Sequence, residues 1–96
     1  MLAIPGISLF DPGQFVITPG AEAALAEASE DANPYLRRHL SGDWGDLCVE
    51  DQQENAYSLD HNLRLFSAYT LGNGTKTWII TEADRSATTV LLPDEY

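Results

Sequence analysis

The sequence has few basic residues and only one cysteine. Five Lys and Arg stand against fifteen Asp and Glu in 96 residues, which gives a formal net charge of -10 and a pI near 4.2. Direct binding to nucleic acid or to an anionic membrane normally needs clustered cations, so this scarcity argues against both. Cys48 alone cannot form an internal disulfide, which predicts a cytoplasmic protein in a reducing compartment.

Long apolar runs are also missing. No run approaches the roughly 18 to 20 residues that span a bilayer. The apolar start "MLAIPGISLF" lacks the positive region and the small-residue cleavage site of a signal peptide. Proline and glycine recur at positions 5, 6, 12 and 13. We therefore expect a loosely ordered extension over residues 1–12, followed by a single α+β domain over 13–96.

The first two thirds of that domain predict one strand and two or three helices. "QFVIT" (14–18) is β-branched and apolar, as in a short strand. Thr18 and Pro19 form a helix-start signal, and "NPYLRRHL" (33–40) repeats it. A third helix follows, with Asp46 as its cap and three apolar positions, Val49, Ala56 and Leu59, expected to face the core.

The last third changes to strand periodicity. Residues 64–71, 76–81 and 87–93 are rich in β-branched and aromatic side chains, and "GNGT" between the first two segments is a hairpin signal. These features predict a three-stranded antiparallel meander. We expect Trp78 and Ile80 on the sheet face that packs under the helices, and Ile79 on the opposite face.

Four segments together resemble a family of small bacterial proteins described as plasmid-related proteins. They are "GQFVITPGAEAAL" (13–25), "GDWGDL" (42–47), "LFSAYTL" (65–71) and "KTWIITEADRSATTVLLPDEY" (76–96). Members are sometimes labelled subunit M of a type I restriction endonuclease. Such a methyltransferase subunit needs a cofactor-binding α/β domain, whereas this chain lacks a glycine-rich strand-to-helix turn. The resemblance implies a stand-alone domain common on mobile DNA, without an activity to carry over.

Catalytic and metal-binding patterns are weak. His39 and Asp43 are four residues apart and Asp60 adjoins His61, but no HExxH or CxxC spacing accompanies them. His39 is more simply a side chain that caps a helix end or matches the helix dipole there, and Cys48 a small core residue. We therefore expect no metal, no cofactor and no catalytic residue. The charged turn "TEADRS" (81–86) is best explained as a solvated hairpin loop.

"SGDWGDL" (41–47) raises a more specific question, because it places Trp44 between glycines and aspartates. The two glycines allow a tight turn that folds the indole onto the domain as a plug. An exposed aromatic ring surrounded by carboxylates is instead typical of an interface hot spot. The burial of Trp44 distinguishes these two interpretations.

The acidic composition favours a non-enzymatic protein that binds a basic surface of another protein. One form of this hypothesis is a nucleic-acid mimic that inhibits a DNA- or RNA-handling or defence system carried on mobile DNA. The candidate contact residues are Asp43, Trp44, Asp46, Glu50, Asp51 and Glu54. Two alternatives stay open: a small enzyme or small-molecule binder with a pocket near Trp44, His39 and "TEADRS", and an accessory subunit of a larger complex.

Overall fold

The computed structural model describes residues 8–96 of the chain. In chain order its elements are β1 (Gln14–Ile17), α1 (Pro19–Ala28), α2 (Asn33–Leu40), α3 (Val49–His61), β2 (Leu65–Thr70), β3 (Lys76–Thr81), β4 (Ala87–Leu91) and a short 3-10 helix, η1 (Pro93–Glu95). The α+β class predicted from the sequence is confirmed. Of the predicted N-terminal extension, residues 1–7 lie outside the described part.

The four strands form one mixed sheet in the order β1-β4-β3-β2. β2, β3 and β4 pair antiparallel, as the hairpin signals predict. β1 joins the meander parallel to β4, with Phe15 opposite Thr88 and Ile17 opposite Val90. This fourth position in the sheet was not predicted, because parallel pairing across the helices leaves no local turn signal.

Helices α1 and α2 pack on the sheet face that carries Ile79. This fully buried side chain forms a core cluster with Ala21 of α1, Leu36 of α2, Tyr69 and Val90. The predicted alternation along β3 is confirmed, but the prediction that Trp78 faces the helices was wrong. The small side chains of α1 allow close approach to aliphatic residues of the sheet, whereas the larger indole lies on the other face beside η1.

Helix starts follow the predicted chemistry only in part. The Thr18 hydroxyl caps α1 by accepting the Ala21 N–H at 3.2 Å, as predicted. Helix α3 begins after Cys48 rather than at Asp46, and Val49 is exposed. The buried positions of α3 are polar, Asn55 and Ser58, because this helix lies against the edge of β2 and supplies hydrogen bonds there.

Residues 8–12 contact the domain through backbone and ring interactions. The Leu9 N–H donates to the Leu40 carbonyl at 2.9 Å, and the Thr88 hydroxyl donates to the Pro12 carbonyl at 2.7 Å. Phe10 packs its ring against His39 and Trp44. This segment therefore closes the end of the core at which α2 finishes.

Candidate functional site

Trp44 is a structural element of the sheet edge. Its carbonyl accepts the Ala68 N–H at 3.2 Å, and the Asp46 N–H donates back to the Ala68 carbonyl at 2.7 Å. Gly45 between them has φ +75°, and a Cβ there would lie 2.0 Å from the Ala68 carbonyl oxygen. The indole is only 8% exposed and packs edge-on to His39, with ring centroids 5.5 Å apart. These observations favour the plug interpretation.

The two aspartates beside Trp44 bond within the fold. Asp43 forms an ion pair with Arg38, with Oδ2 2.7 Å from Nε, and this bond holds the pKa of the carboxyl below its usual value. Asp43 also accepts the Gly45 N–H, which shapes the turn. Asp46 accepts the hydroxyl of Thr70 at 2.7 Å. The Asp46 carboxylate therefore holds the 43–46 segment against β2, and the Asp43 carboxylate ties the same segment to α2.

The other three candidate residues lie together on α3. Glu50, Asp51 and Glu54 are all exposed, and Glu50 and Glu54 are one helical turn apart. The ion pair between Arg38 and Asp43 is the only one within residues 8–96, so no basic group pairs with these carboxylates there. The six candidate residues thus divide into a structural group beside β2 and an unpaired acidic group on α3.

The acidic group borders a groove between α3 and β2. Asp51 and Glu54 contribute to its wall, and the groove has a volume of about 320 Å³. Its other lining residues are Asn55, Ser58, Leu63, Arg64 and Phe66. A second cleft of about 210 Å³ lies on the sheet face away from α1 and α2, lined by Arg64, Phe66, Trp78, Ile80 and Tyr96. The two clefts share the lining residues Arg64 and Phe66 and are therefore adjacent, and we refer to them together as the acidic–aromatic groove.

Aromatic rings form the second half of this groove. Phe66 packs edge-on to Trp78 at 4.9 Å between centroids, and Trp78 to Tyr96 at 5.9 Å. The Arg64 guanidinium lies over the Tyr96 ring at 5.3 Å and donates to its hydroxyl. This half was not predicted from the sequence, because Trp78 was expected on the helix-covered face. The alternation of Arg64 with Phe66 was an available signal, because a cation two positions before an aromatic residue indicates a partly exposed face.

His39 belongs to a buried hydrogen-bonded network rather than to a capping site, so that prediction was wrong. Its Nδ1 contacts the Ser67 hydroxyl, and its Nε2 lies 2.9 Å from the Thr81 hydroxyl. Thr81 in turn contacts Thr88, at 2.8 Å between hydroxyl oxygens. The network ends at the Pro12 carbonyl, which can only accept.

That terminal carbonyl determines the direction of the hydrogen bonds as far as Nε2 of His39. Thr88 donates to Pro12, so it accepts from Thr81, and Thr81 in turn accepts from Nε2–H of His39. Burial lowers the pKa of His39 to about 3, so the ring is neutral near pH 7. With its one proton on Nε2, the ring accepts the Ser67 hydroxyl at Nδ1. Since His39 and Ser67 are fully buried, they form no substrate-accessible nucleophile and base pair.

The remaining sequence candidates lie apart from one another. Cys48 is exposed, so its prediction as a core residue was wrong. His61 stacks on Tyr57 at the end of α3, with ring centroids 3.9 Å apart. Within the described residues, no group of three or more His, Cys, Asp or Glu side chains is placed to hold a metal ion.

The "TEADRS" turn is tied to the end of α3. Arg85 has φ +61°, and its guanidinium donates to the carbonyls of Leu63, Ser58 and Glu82. Asp84 accepts the Ser86 N–H, and hydrogen bonds from Ser86 lower its pKa. Arg85 and Asp84 therefore stabilise the backbone of this turn and of the end of α3. Neither residue lines the acidic–aromatic groove.

Comparisons with known proteins returned no match to a family model, a curated protein or a solved structure. The resemblance to plasmid-related proteins therefore stays a prediction. Over residues 8–96, no helix has the length and apolar character needed to cross a membrane.

Proposed function

We propose that this protein binds a basic surface of another protein through the acidic–aromatic groove. The observation that carries the proposal is that the acidic wall on α3 and the aromatic cleft are adjacent and share Arg64 and Phe66. Asp51 and Glu54 border one half of the groove, and Trp78 and Tyr96 line the other. Such a surface offers carboxylates for the charged end of a Lys or Arg and aromatic faces for its stem.

Charge supports the same partner class. The groove contains one cation, Arg64, and the ring and hydroxyl of Tyr96 already engage it. The net charge of -10 adds a long-range field that attracts a basic partner before contact. A nucleic-acid mimic is the form of this proposal in which the partner surface is a DNA- or RNA-binding groove.

Of the six candidate residues, we propose that only three contact such a partner. Asp43 and Asp46 bond inside the fold and Trp44 is buried, so the proposed contact residues are Glu50, Asp51 and Glu54. Glu50 and Asp51 also lie in the first turn of α3, where a negative charge stabilises the helix dipole. Charge reversal there costs some helix stability, which the experiment has to control.

The test compares two triple variants with the same change in net charge. The first replaces Glu50, Asp51 and Glu54 with lysine. The matched control places lysine at Glu22, Glu27 and Asp94, which are exposed and include a first-turn residue of α1. Each protein is used as bait in an extract of its native host, and captured proteins are identified by mass spectrometry at low and high salt.

We expect wild type and control to capture the same basic protein, with capture falling steeply as salt rises. The groove variant should lose it while circular dichroism shows an intact fold. A captured protein whose binding ignores both salt and the groove reversal would refute the proposal. Loss of capture by both triple variants would also contradict it, because net charge alone would then explain binding.

A further inference from the structure

The two edge strands of the sheet, β2 and β1, differ in whether their outward-facing backbone groups have hydrogen-bond partners. At the β2 edge, the side chain of Asn55 accepts the Phe66 N–H and donates to the Phe66 carbonyl. The next outward-facing residue, Ala68, bonds to the backbone of Trp44 and Asp46. The β2 edge is therefore closed to further strands by the protein's own groups.

The β1 edge has no such cover among residues 8–96. The N–H groups of Gln14 and Thr18 donate to the Ser86 and Val90 carbonyls, both at 3.0 Å. Because peptide groups alternate along a strand, the N–H and C=O groups of Phe15 and Ile17 point away from β4. No group in the described part of the chain bonds to them. Exposed edges of this kind are usually protected by charge, proline or a covering segment.

An apolar groove lies beside this open edge. It has a volume of about 140 Å³ and is lined by Phe15, Val16, Ile17, Ala32, Leu36 and Val90. Pairing with β4 places Phe15 and Ile17 on the α2 side of the sheet and Val16 on the opposite side. All three side chains of the strand are more than a third exposed. An added strand would thus extend both the hydrogen bonding and the apolar surface.

Charge indicates which strand fits. Residues 12–21 contain no charged side chain, although the chain as a whole carries fifteen acidic residues. A basic peptide would find no carboxylate on this strand itself, and Glu95 at its end already accepts hydrogen bonds from Thr18 and Gly20. A second neutral strand would meet no opposing charge there. The same segment of another copy has that neutral character.

We propose that two copies of this protein associate through antiparallel pairing of their β1 strands. With Val16 opposite the partner subunit's Val16, Phe15 lies opposite the partner subunit's Ile17. Both residues of that pair have outward-facing peptide groups, so the pair forms two hydrogen bonds. The two-fold axis generates a second such pair, which gives four hydrogen bonds in all. The paired strands span residues 14–17, which carry no charged side chain, so no carboxylates face each other across the pairing.

The small contact predicts a weak dimer. Four residues per strand bury much less than the roughly 800 Å² per partner of a standard interface. Two molecules of charge -10 also repel at long range, so added salt should strengthen this association. This salt dependence is opposite to that expected for a basic partner at the acidic–aromatic groove. An experiment can therefore refute one of the two proposals without refuting the other.

Disulfide trapping tests the register directly. In a Cys48→Ser background, Val16→Cys places two thiols at the two-fold axis, where the Cα atoms of such a pair are about 4.5 Å apart. Gln14→Cys is the matched control on the same exposed strand. Its two copies would be four residues out of register, roughly 13 Å apart, which is beyond disulfide reach. We expect rapid dimer cross-linking of the first variant only.

Sedimentation velocity over micromolar to millimolar protein provides the second measurement. The wild type should show a concentration-dependent dimer that salt favours, and Val16→Lys should sediment as a monomer with an unchanged circular dichroism spectrum. A wild type that stays monomeric throughout would overturn the proposal, as would equal cross-linking of both cysteine variants. A dimer that forms only after deletion of residues 1–7 would also overturn it, because the chain's own N-terminus would then be the occupant of the edge.

Discussion

Acidification should destabilise this protein well above the range in which its carboxylates titrate, and His39 is the reason. The folded state holds this side chain as a neutral imidazole with a pKa of about 3, against an ordinary value of 6.5 in the unfolded chain. As pH falls through 6.5, His39 binds a proton in the unfolded chain but stays neutral in the folded protein. The contribution of His39 to stability is therefore fully present above about pH 6.5 and is lost progressively as pH falls to about 3.

The expected magnitude follows from that shift. Each unit of pKa difference corresponds to about 1.4 kcal/mol, so lowering the pH from 7 to 5 should cost about 2 kcal/mol of unfolding free energy. This is a large fraction of the roughly 5 to 15 kcal/mol typical of a domain. The pKa values of two carboxyls are also lowered, that of Asp43 by Arg38 and that of Glu30 by Tyr35. Protonation of these carboxylates therefore also destabilises the folded state as pH falls. The stability that these carboxylates contribute is lost only as pH approaches the ordinary carboxyl range near 4. The decrease between pH 6.5 and 5 is therefore assigned to His39.

Urea unfolding at closely spaced pH values measures the effect, with His39→Gln as the informative variant. Its side-chain amide can still donate to Thr81 but does not titrate, so its stability should be lower at pH 7 yet nearly constant down to pH 5. His61→Gln is the matched control, since it removes the other imidazole from an exposed position outside the network. We expect it to keep the wild-type slope.

Two results would refute this reasoning. One is a wild type that loses less than about 0.5 kcal/mol between pH 7 and 5, far below the value from linkage. The other is a His39→Gln variant that retains the full wild-type slope. If the variant fails to fold, the nitrogen chemical shifts of His39 in the wild type provide a separate readout. They should report a proton on Nε2 alone throughout this range.

Further predictions concern the sheet edge and its two faces. Gly45→Ala should cost about 3 kcal/mol or more, because it combines a left-handed φ with a clash against the Ala68 carbonyl. Gly74→Ala has a similar φ with open space around it, so about 1 to 2 kcal/mol is expected in the same urea assay, and equal losses would contradict the edge geometry. Ile79→Ala should cost about 2 to 5 kcal/mol and the half-buried Trp78→Ala about 1 to 2 kcal/mol. The reverse order would show that the wrong face was assigned to the core.

Features of this fold that depend on neighbouring residues were predictable from the sequence. The cap of α1 depends on Thr18 and Pro19, and the β2–β3 hairpin depends on Asn73 and Gly74, which has φ +89°. In each case one side chain or one backbone angle determines the structure within a few residues. The three antiparallel strands follow from such local signals.

Features that depend on distant residues were not predictable in the same way. Helix α3 was expected to bury Val49, Ala56 and Leu59, but it buries Asn55, whose amide bonds to Phe66 eleven residues later. His39 is buried because the hydroxyls of Ser67 on β2 and Thr81 on β3 complete the hydrogen bonds of its ring, and Thr88 on β4 in turn bonds to Thr81. A pattern of apolar spacing contains no information about such partners. The same limit explains why the acidic residues of α3 were predicted, whereas the aromatic half of the groove was not.

The two proposed surfaces have a joint consequence, because they lie at opposite edges of one sheet. β1 is one edge strand, and β2, which borders the acidic–aromatic groove, is the other. Pairing of two β1 strands would extend the sheet to eight strands and place one groove at each end. A dimer would therefore present two copies of the groove without blocking either, and a partner with two basic sites would bind it more tightly than a monomer. Val16→Lys should then weaken capture of a bivalent partner but leave binding of a single basic site unchanged. The groove reversal should abolish both.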